Sequence, residues 1–287
     1  MQDRRIGDIR VTRIEEQTGP GFPAKDFFPE FEAETFRAEQ HWLAPNYFQA
    51  ESGRLMTSIH SWLVRTGKYT ILIDACSGNH KPRPGMPRFD MLNTRYLERL
   101  REAGVQPEEV DYVMCTHLHV DHVGWNTRLE GGRWVPTFPN ARYVFAKGEF
   151  DYWTEQHAKT PVPPFGDSVL PVVEADRAEI VRHDYTIGDH LRILPTPGHT
   201  PGHVAFSFGR GKEDAVFSGD LMHSPLQARY PELSAKFDVD QMQAATTRRN
   251  FLERYCDTET LCCTARFPSP SSGKIRRKGD GFICEAA

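Results

Sequence analysis

The chain has 287 residues, and its 35 Lys and Arg against 39 Asp and Glu give a formal net charge of −4. This near balance argues against a nucleic-acid or membrane-surface protein. No apolar run approaches the roughly 20 residues that a membrane-spanning helix needs, and the N-terminus shows no signal-peptide pattern. We therefore expect a cytoplasmic protein with six reduced cysteines. The unusual number is 12 histidines, half of which fall in three short stretches.

Hydrophobic patterning predicts strands at residues 9–14, 58–64, 69–73, 110–115, 141–146, 191–194, 204–208, 215–218 and 261–264. It predicts helices at residues 93–103, 149–158 and 242–255, the last with Asp238 or Asp240 as its N-cap. Loops are expected between residue 15 and residue 50, at 77–89, at the proline-rich 160–171, and in a final tail at 268–287. The strands fall into two groups with helices between and after them, which favours two sheets covered by helices over one doubly wound sheet.

The strongest chemical signal is Thr116-His117-Leu118-His119-Val120-Asp121-His122, directly after a predicted buried strand. Three imidazoles and a carboxylate within six residues are the ligand types of zinc or a similar metal. Zinc takes about four ligands, so further ligands are expected elsewhere in the chain.

Two later segments supply candidates for those ligands. His199 is bracketed by the two Pro-Gly turns of Thr196–Gly202, which fix the backbone around it. Asp220 follows a predicted strand in Phe217-Ser218-Gly219-Asp220, and its carboxylate has two oxygens with which to bridge two metals. His203, in the second turn, is expected to have a structural role.

These motifs together closely resemble those of the metallo-β-lactamase-fold hydrolases over roughly residues 55–270: T-H-x-H-x-D-H, then P-G-H-T-P-G, then G-D. The resemblance implies an α/β fold, the αβ/βα four-layer sandwich, with two mixed β-sheets flanked by helices and a metal site at the sheet edges. The segment 1–50 is expected to be an N-terminal strand and covering loop, attached to a hydrolase domain at 51–287 in what is a single domain overall. The ligands that the resemblance implies are His117, His119 and His199 for a first metal, Asp121 and His122 for a second, and Asp220 as a bridge. It further implies that Asp74 orients the loop that carries them.

One residue departs from the family pattern. The last family ligand is a histidine on a late strand, and the matching segment here, Cys263-Thr264-Ala265-Arg266-Phe267-Pro268, has Arg266 at that position. Arginine stays protonated and cannot bind a cation. The cofactor is therefore expected to be one or two Zn²⁺, with Mn²⁺ or Fe²⁺ as alternatives, and with weak or fractional occupancy of the second site. Arg266 itself either clamps an anionic group of the substrate, stabilises developing negative charge, or forms an ordinary salt bridge.

The segment Gly219-Asp220-Leu221-Met222-His223 resembles the G-D-x-x-H pattern of methyl-parathion-hydrolase-like members more than the pattern of quorum-quenching lactonases. His223 is expected to contact substrate or donate a proton, to replace the missing histidine at the second metal site, or to be an ordinary buried histidine. The resulting hypothesis is a hydrolase of small-molecule lactones or esters, in which Asp121 or Asp220 orients or deprotonates the attacking water. A phosphotriesterase and a degenerate binding protein with little turnover remain alternatives.

Aromatic side chains occur in or next to the predicted loops, namely Phe27, Phe28, Phe31, Trp153 and Phe165. They fit the wall of an apolar substrate pocket, the interface of a homodimer, or ordinary packing, and the sequence leaves these alternatives open. The expected partner is a small-molecule substrate, with neither nucleic acid nor membrane.

Overall fold

The structure is a computed structural model that describes residues 3–30, 33–188, 190–210 and 212–286. Its contacts divide the chain into two units, Met1–Gln17 with Ile59–Tyr185 and Thr18–Ser58 with Thr186–Ala287. The predicted boundary at residue 50 stays a prediction, as does the expectation of one domain. Phe31 lies outside the described residues.

The strands of the described residues are β1 (Asp3–Ile6), β2 (Ile9–Pro23), β3 (Phe48–Gln49), β4 (Arg54–Arg65), β5 (Thr70–Ile73), β6 (Tyr112–Cys115), β7 (Thr127–Glu130), β8 (Arg133–Pro136), β9 (Arg142–Ala146), β10 (Ala178–Val181), β11 (Thr186–Ile187), β12 (Leu191–Pro195), β13 (Val204–Phe208), β14 (Ala215–Phe217), β15 (Leu261–Cys263), β16 (Ser272–Lys278) and β17 (Gly281–Ala286). The α-helices are α1 (Ala24–Phe27), α2 (Ala33–Leu43), α3 (Tyr96–Glu102), α4 (Val120–Val123), α5 (Lys147–Lys159), α6 (Pro163–Ser168), α7 (Leu170–Glu174), α8 (Leu226–Arg229) and α9 (Gln241–Tyr255).

The first unit is built on a mixed sheet in the order β1-β2-β4-β5-β6-β9-β10, with β5, β6, β9 and β10 parallel to one another. The central strands β5 and β6 are short apolar runs that are buried almost throughout, as expected for parallel strands covered on both faces. Helix α5 packs on this core through Phe150 and Trp153. Parallel order brings the carboxyl ends of β5 and β6 to one edge, which is where the conspicuous histidine motif begins.

The second unit has its own mixed sheet, in the order β11-β12-β13-β14-β15-β16-β17. Strands β14 and β15 are parallel, whereas the other neighbouring pairs are antiparallel. Helix α9 packs on this sheet through Phe251, Leu252 and Tyr255. Asp240 is its N-cap, since the Asp240 carboxylate accepts a hydrogen bond from the Gln243 backbone N–H at 2.9 Å.

Most predicted elements are found within a few residues of their predicted bounds, but three predicted loops were wrong. Helix α2 lies inside the segment before residue 50. Helices α6 and α7 occupy much of 160–171, because two prolines stand at the start of α6 and one at the start of α7, where the missing N–H costs nothing.

The expected C-terminal tail is a hairpin formed by β16 and β17. The basic run Lys274–Lys278 is part of β16, and acidic neighbours match its charges. Lys274 and Arg276 pair with Glu259, and Arg277 pairs with Glu253. Among the described residues no helix combines the length and apolar character required to cross a membrane.

Candidate metal centre

The segment Thr116–His122, here called the histidine loop, leaves the carboxyl end of β6. Asp74, directly after β5, holds its beginning by accepting hydrogen bonds from the Thr116 backbone N–H at 2.7 Å and the Thr116 hydroxyl at 2.9 Å. The same carboxylate lies 2.8 Å from Nδ1 of His122. Asp74 has a φ of 60°, a left-handed conformation that is uncommon for residues other than glycine. These contacts are those expected of an aspartate that orients the loop.

The three imidazoles of the histidine loop lie side by side in the first unit. The ring centre of His117 is 4.6 Å from that of His119 and 4.0 Å from that of His122. Nε2 of His117 and Nδ1 of His119 are 2.9 Å apart. Nδ1 of His117 lies 3.1 Å from the Thr116 hydroxyl, which itself donates to Asp74. The proton of His117 therefore sits on Nδ1, and Nε2 carries the lone pair that a metal needs.

The rest of the histidine loop is fixed by the segment that follows β5. Helix α4 carries Asp121 and His122, both buried. The backbone N–H of Gly124 donates to the Cys76 carbonyl at 2.7 Å, and a Cβ on Gly124 would lie 1.8 Å from the Ser77 carbonyl oxygen. Only glycine allows the two segments to approach this closely.

In the second unit, His199 is held through its Nδ1, which lies 2.8 Å from Oδ1 of Asp238. The other Asp238 oxygen accepts from the Ala235 N–H at 3.0 Å and lies 3.5 Å from Nη2 of Arg248. Burial lowers the pKa of His199, so its ring is neutral at pH 7. Burial opposes ionisation of Asp238, but the hydrogen bond to His199 and the nearby positive charge outweigh it and lower the pKa. Nδ1–H of His199 thus donates to a carboxylate, and Nε2 keeps its lone pair.

The backbone around His199 is packed against the start of α9. Gly198 has a φ of 133°, and a Cβ there would lie 2.3 Å from the backbone nitrogen of Ala244. The N–H groups of Val239 and Asp240 donate to the carbonyls of His199 and Gly198 at 3.1 and 3.0 Å. The first Pro-Gly turn is therefore required for this close approach.

Asp220 lies at the end of β14 with a side chain that is 0% exposed. The Arg266 guanidinium forms a bidentate pair with this carboxylate, in which Nε donates to Oδ1 at 2.7 Å and Nη2 donates to Oδ2. Oδ2 is also 3.5 Å from Nε2 of His199 and 3.3 Å from Nε2 of His223. Four of the residues singled out in the sequence thus lie together in the second unit.

The ring of His223 is 5% exposed and lies 5.1 Å, centre to centre, from the ring of Phe27. Its buried Nδ1 has no hydrogen-bond partner among the described residues. An unsatisfied buried nitrogen costs free energy unless it acquires a partner, so this atom suits a ligand or a water. Phe27 contacts Phe237, which is 41% exposed, and Phe22, which is 39% exposed.

His203 uses both of its ring nitrogens within the second unit. Nε2 accepts from the Asp220 backbone N–H at 3.0 Å, and Nδ1 lies 2.7 Å from the Thr196 hydroxyl. It therefore supports the turn that carries Asp220, which agrees with the structural role expected for it.

Four buried residues near the histidines escaped sequence reasoning: Glu16, Glu149, Asp238 and Arg248. Asp238 was considered only as a helix cap, a role that Asp240 takes. Glu149 contacts the middle of the histidine loop at Leu118, and Glu16 contacts Trp125 just after the loop. Both glutamates come from distant points in the chain, and no local spacing signals these contacts. One sequence signal points to Glu16. It follows Ile14 by two residues, so if the strand continued it would place a charged side chain on the same buried face.

The donor set of each unit fits a metal by its chemistry. With metal–nitrogen bonds of about 2.0–2.1 Å and tetrahedral angles, two ligand atoms lie about 3.3 Å apart. The 2.9 Å between the nitrogens of His117 and His119 and the 3.5 Å between His199 and Asp220 are close to this value. Nδ1 of His199 and Nδ1 of His122 are each hydrogen-bonded to a carboxylate. This is the usual support of a histidine that binds metal through its other nitrogen.

Comparison with known proteins places these residues in a family. The Metallo-beta-lactamase superfamily model matches residues 56–264. An N-acyl homoserine lactonase of Bacillus sp is 29% identical over 122 residues, 42% of this chain and 42% of the relative. A hydroxyacylglutathione hydrolase of Aliivibrio fischeri is 27% identical over 158 residues, 55% of this chain and 51% of the relative. The match to these curated relatives thus covers only about half of their length or less.

Solved structures are similar over nearly the whole chain. The crystal structure of AbOPH, a hydrolase in the beta lactamase superfamily, matches with a TM-score of 0.84 and 24% identity, covering 99% of this chain and 96% of that one. AidC, a dizinc quorum-quenching lactonase, matches with a TM-score of 0.78 and 22% identity over 98% and 95% of the two chains. The predicted α/β fold is thereby confirmed, and so is the resemblance drawn from the motifs. This chain belongs to the metallo-beta-lactamase superfamily.

Proposed function

We propose that the protein is a metal-dependent hydrolase of small-molecule lactones or esters, with Zn²⁺ as its metal. One observation carries the proposal. Nδ1 of each of three histidines is held by a neighbouring side chain, which leaves the lone pair of Nε2 for a metal. The pairs are His117 with Thr116, His122 with Asp74, and His199 with Asp238. The family membership and the lactonases among the relatives support the reaction class.

The proposed ligands are His117, His119 and His199 for the first metal, with Asp121, His122 and Asp220 for any second one. A divalent zinc supplies Lewis acidity, polarising a carbonyl oxygen and lowering the pKa of water toward about 7. Asp121 is buried and is the proposed carboxylate that orients the attacking water. Because Nδ1–H of His199 donates to Asp238, the lone pair stays on Nε2. This ligand therefore needs no change of tautomer when it binds a metal.

We further propose that the second metal site is weak or empty and that Arg266 replaces its charge. The Arg266 guanidinium already neutralises Asp220 through two hydrogen bonds. Because Asp220 is fully buried, exchanging this partner for a metal requires Arg266 to move and leave its carboxylate. Arg266→His should raise the metal content per chain toward two, and an unchanged content would count against this assignment.

His223 is the proposed substrate contact. Its buried Nδ1 is available for a polar atom of the substrate, and the adjoining Phe27, Phe237 and Phe22 rings offer an apolar surface for an acyl or aryl substituent. The G-D-x-x-H pattern keeps phosphotriester hydrolysis as the second candidate, since a phosphoryl oxygen accepts a hydrogen bond from an imidazole N–H as well as a carbonyl oxygen does.

The test begins with elemental analysis of the purified protein for zinc, manganese and iron. Lactones, aryl esters and phosphotriesters are then screened before and after treatment with a chelator. We expect turnover of a lactone or ester that is lost on chelation and restored by zinc. The variants His117→Ala and His119→Ala should lose both metal and turnover. Full metal content without turnover of any of these substrates would instead favour a binding protein.

A further inference from the structure

Two buried glutamates contact the histidine loop and its supporting segment without being candidate ligands. Glu16 on β2 is 3% exposed and Glu149 on α5 is 1% exposed. Burying a carboxylate is costly unless several hydrogen bonds satisfy it. The groups that satisfy these two carboxylates therefore show what their burial achieves.

Glu149 holds the middle of the histidine loop. Its Oε1 accepts from the backbone N–H of Leu118 at 3.0 Å, at the residue that stands between His117 and His119. The same oxygen accepts from the indole N–H of Trp153 at 2.6 Å, one helical turn further along α5. The Trp153 ring in turn lies edge-on to the His119 ring, with 5.4 Å between their centres. One carboxylate thus fixes both the backbone of the loop and the ring that packs on one of its histidines.

Glu16 holds the far end of the loop. Its two oxygens accept from the backbone N–H groups of Ser77 at 2.8 Å and Gly78 at 3.1 Å, and from the indole N–H of Trp125 at 2.7 Å. Trp125 lies three residues after His122, and its backbone N–H donates to the Ala75 carbonyl at 2.7 Å. Glu16 therefore joins the end of the histidine loop to the segment after β5.

These contacts restrain the loop on both sides of its candidate ligands. Asp74 holds Thr116 and His122, Glu149 holds Leu118, and Glu16 holds Trp125. All of these atoms lie in the first unit. A loop restrained at successive points presents its imidazoles in one arrangement, so metal binding requires little ordering of the chain.

We propose that Glu16 and Glu149 are positioning residues that preorganise the histidine loop for its metal. The inference rests on the proposed metal-dependent function and adds two residues to it. Outer carboxylates of this kind alter metal affinity by about 10–100-fold when they are replaced.

The experiment measures zinc affinity by competition with a chromogenic chelator, together with the visible absorption spectrum of the cobalt-loaded protein. Glu149→Leu removes the acceptor, and Glu16→Gln turns an amide NH₂ toward N–H donors. Each should weaken zinc binding about tenfold or more and change the cobalt spectrum. Glu149→Gln, which keeps one acceptor oxygen, should recover part of the loss. Glu155→Gln, on the exposed side of α5, is the matched control and should leave both readouts unchanged.

The outcomes separate this inference from the proposed function. If the wild-type chain binds no metal, the proposed function fails and this inference fails with it. If the wild type binds zinc but Glu16→Gln and Glu149→Leu bind it equally well, only the positioning role is overturned. Urea unfolding of the metal-loaded and metal-stripped forms gives a second reading, because a larger loss of stability in the loaded form is expected. Equal losses in both forms would mean that the glutamates serve the fold alone.

Discussion

Replacing Asp238 by asparagine tests how His199 is prepared for metal. The Asp238 carboxylate is fully buried and accepts from Nδ1 of His199 at 2.8 Å. Asparagine keeps one oxygen for that contact but removes the negative charge. It also places an NH₂ group where Oδ2 now accepts from Ala235 and faces Arg248.

The expected magnitude follows from these contacts. A hydrogen bond to a charged group contributes about 1.5–3 kcal/mol, which corresponds to a loss of metal affinity of about 10–100-fold. The stability of the metal-free protein should also fall, because Arg248 loses its buried counter-charge. Removing one partner of a buried ion pair costs about 3–5 kcal/mol. Three backbone carbonyls at 2.7–2.8 Å continue to satisfy Arg248, so we expect the lower end of that range.

Zinc affinity is measured by chelator competition and the free energy of unfolding by urea titration of the stripped protein. Asp240→Asn is the matched control, since asparagine caps a helix as well as aspartate does and Asp240 is exposed. Zinc affinity in Asp238→Asn equal to that of the wild type would refute the argument that this carboxylate prepares His199.

Three further predictions concern the free energy of unfolding, measured by urea titration. Burial lowers the pKa of Lys81 to about 7, so between pH 7 and 10 the unfolded chain binds a proton that the folded chain lacks. Stability should therefore rise with pH by at most about 1.4 kcal/mol per unit from this group, and Lys81→Met should remove that slope; an identical slope in both proteins would contradict the assignment. Gly124→Ala should cost about 3 kcal/mol, because its Cβ would meet the Ser77 carbonyl at 1.8 Å, whereas Gly67→Ala, with no atom near its Cβ, should cost little. Asp240→Ala should cost about 1 kcal/mol through loss of the α9 cap, and an unchanged stability would show that the cap contributes nothing.

The sequence was informative wherever chemistry is encoded by local spacing. His117, His119 and His122 share one loop, and the buried strand before them sets the sheet edge from which that loop leaves. Asp220 and Arg266 were singled out by motif, and the structure places their side chains in direct contact. The departure at Arg266 could be noticed from sequence, but its contact with Asp220 could not, since 46 residues separate them.

What escaped prediction depends on long-range pairing or on local sterics. Glu16 meets Trp125 across 109 residues, so no pattern within either segment reveals the contact. Four prolines predict a loop at residues 160–171, since proline usually ends a helix. The prolines of α6 and α7 instead stand at the first helical positions, where they are compatible with a helix. The final hairpin was mistaken for a tail because its charged strand β16 lacks an apolar alternation.

The measurement that tests the central claim most directly is the metal content of the purified protein, taken together with turnover of a lactone or aryl ester. The account predicts about one tightly bound zinc per chain, with turnover that disappears on chelation, returns with added zinc, and is absent in His117→Ala. Turnover that survives complete removal of metal, or metal that remains bound when His117 and His119 are replaced, would contradict it.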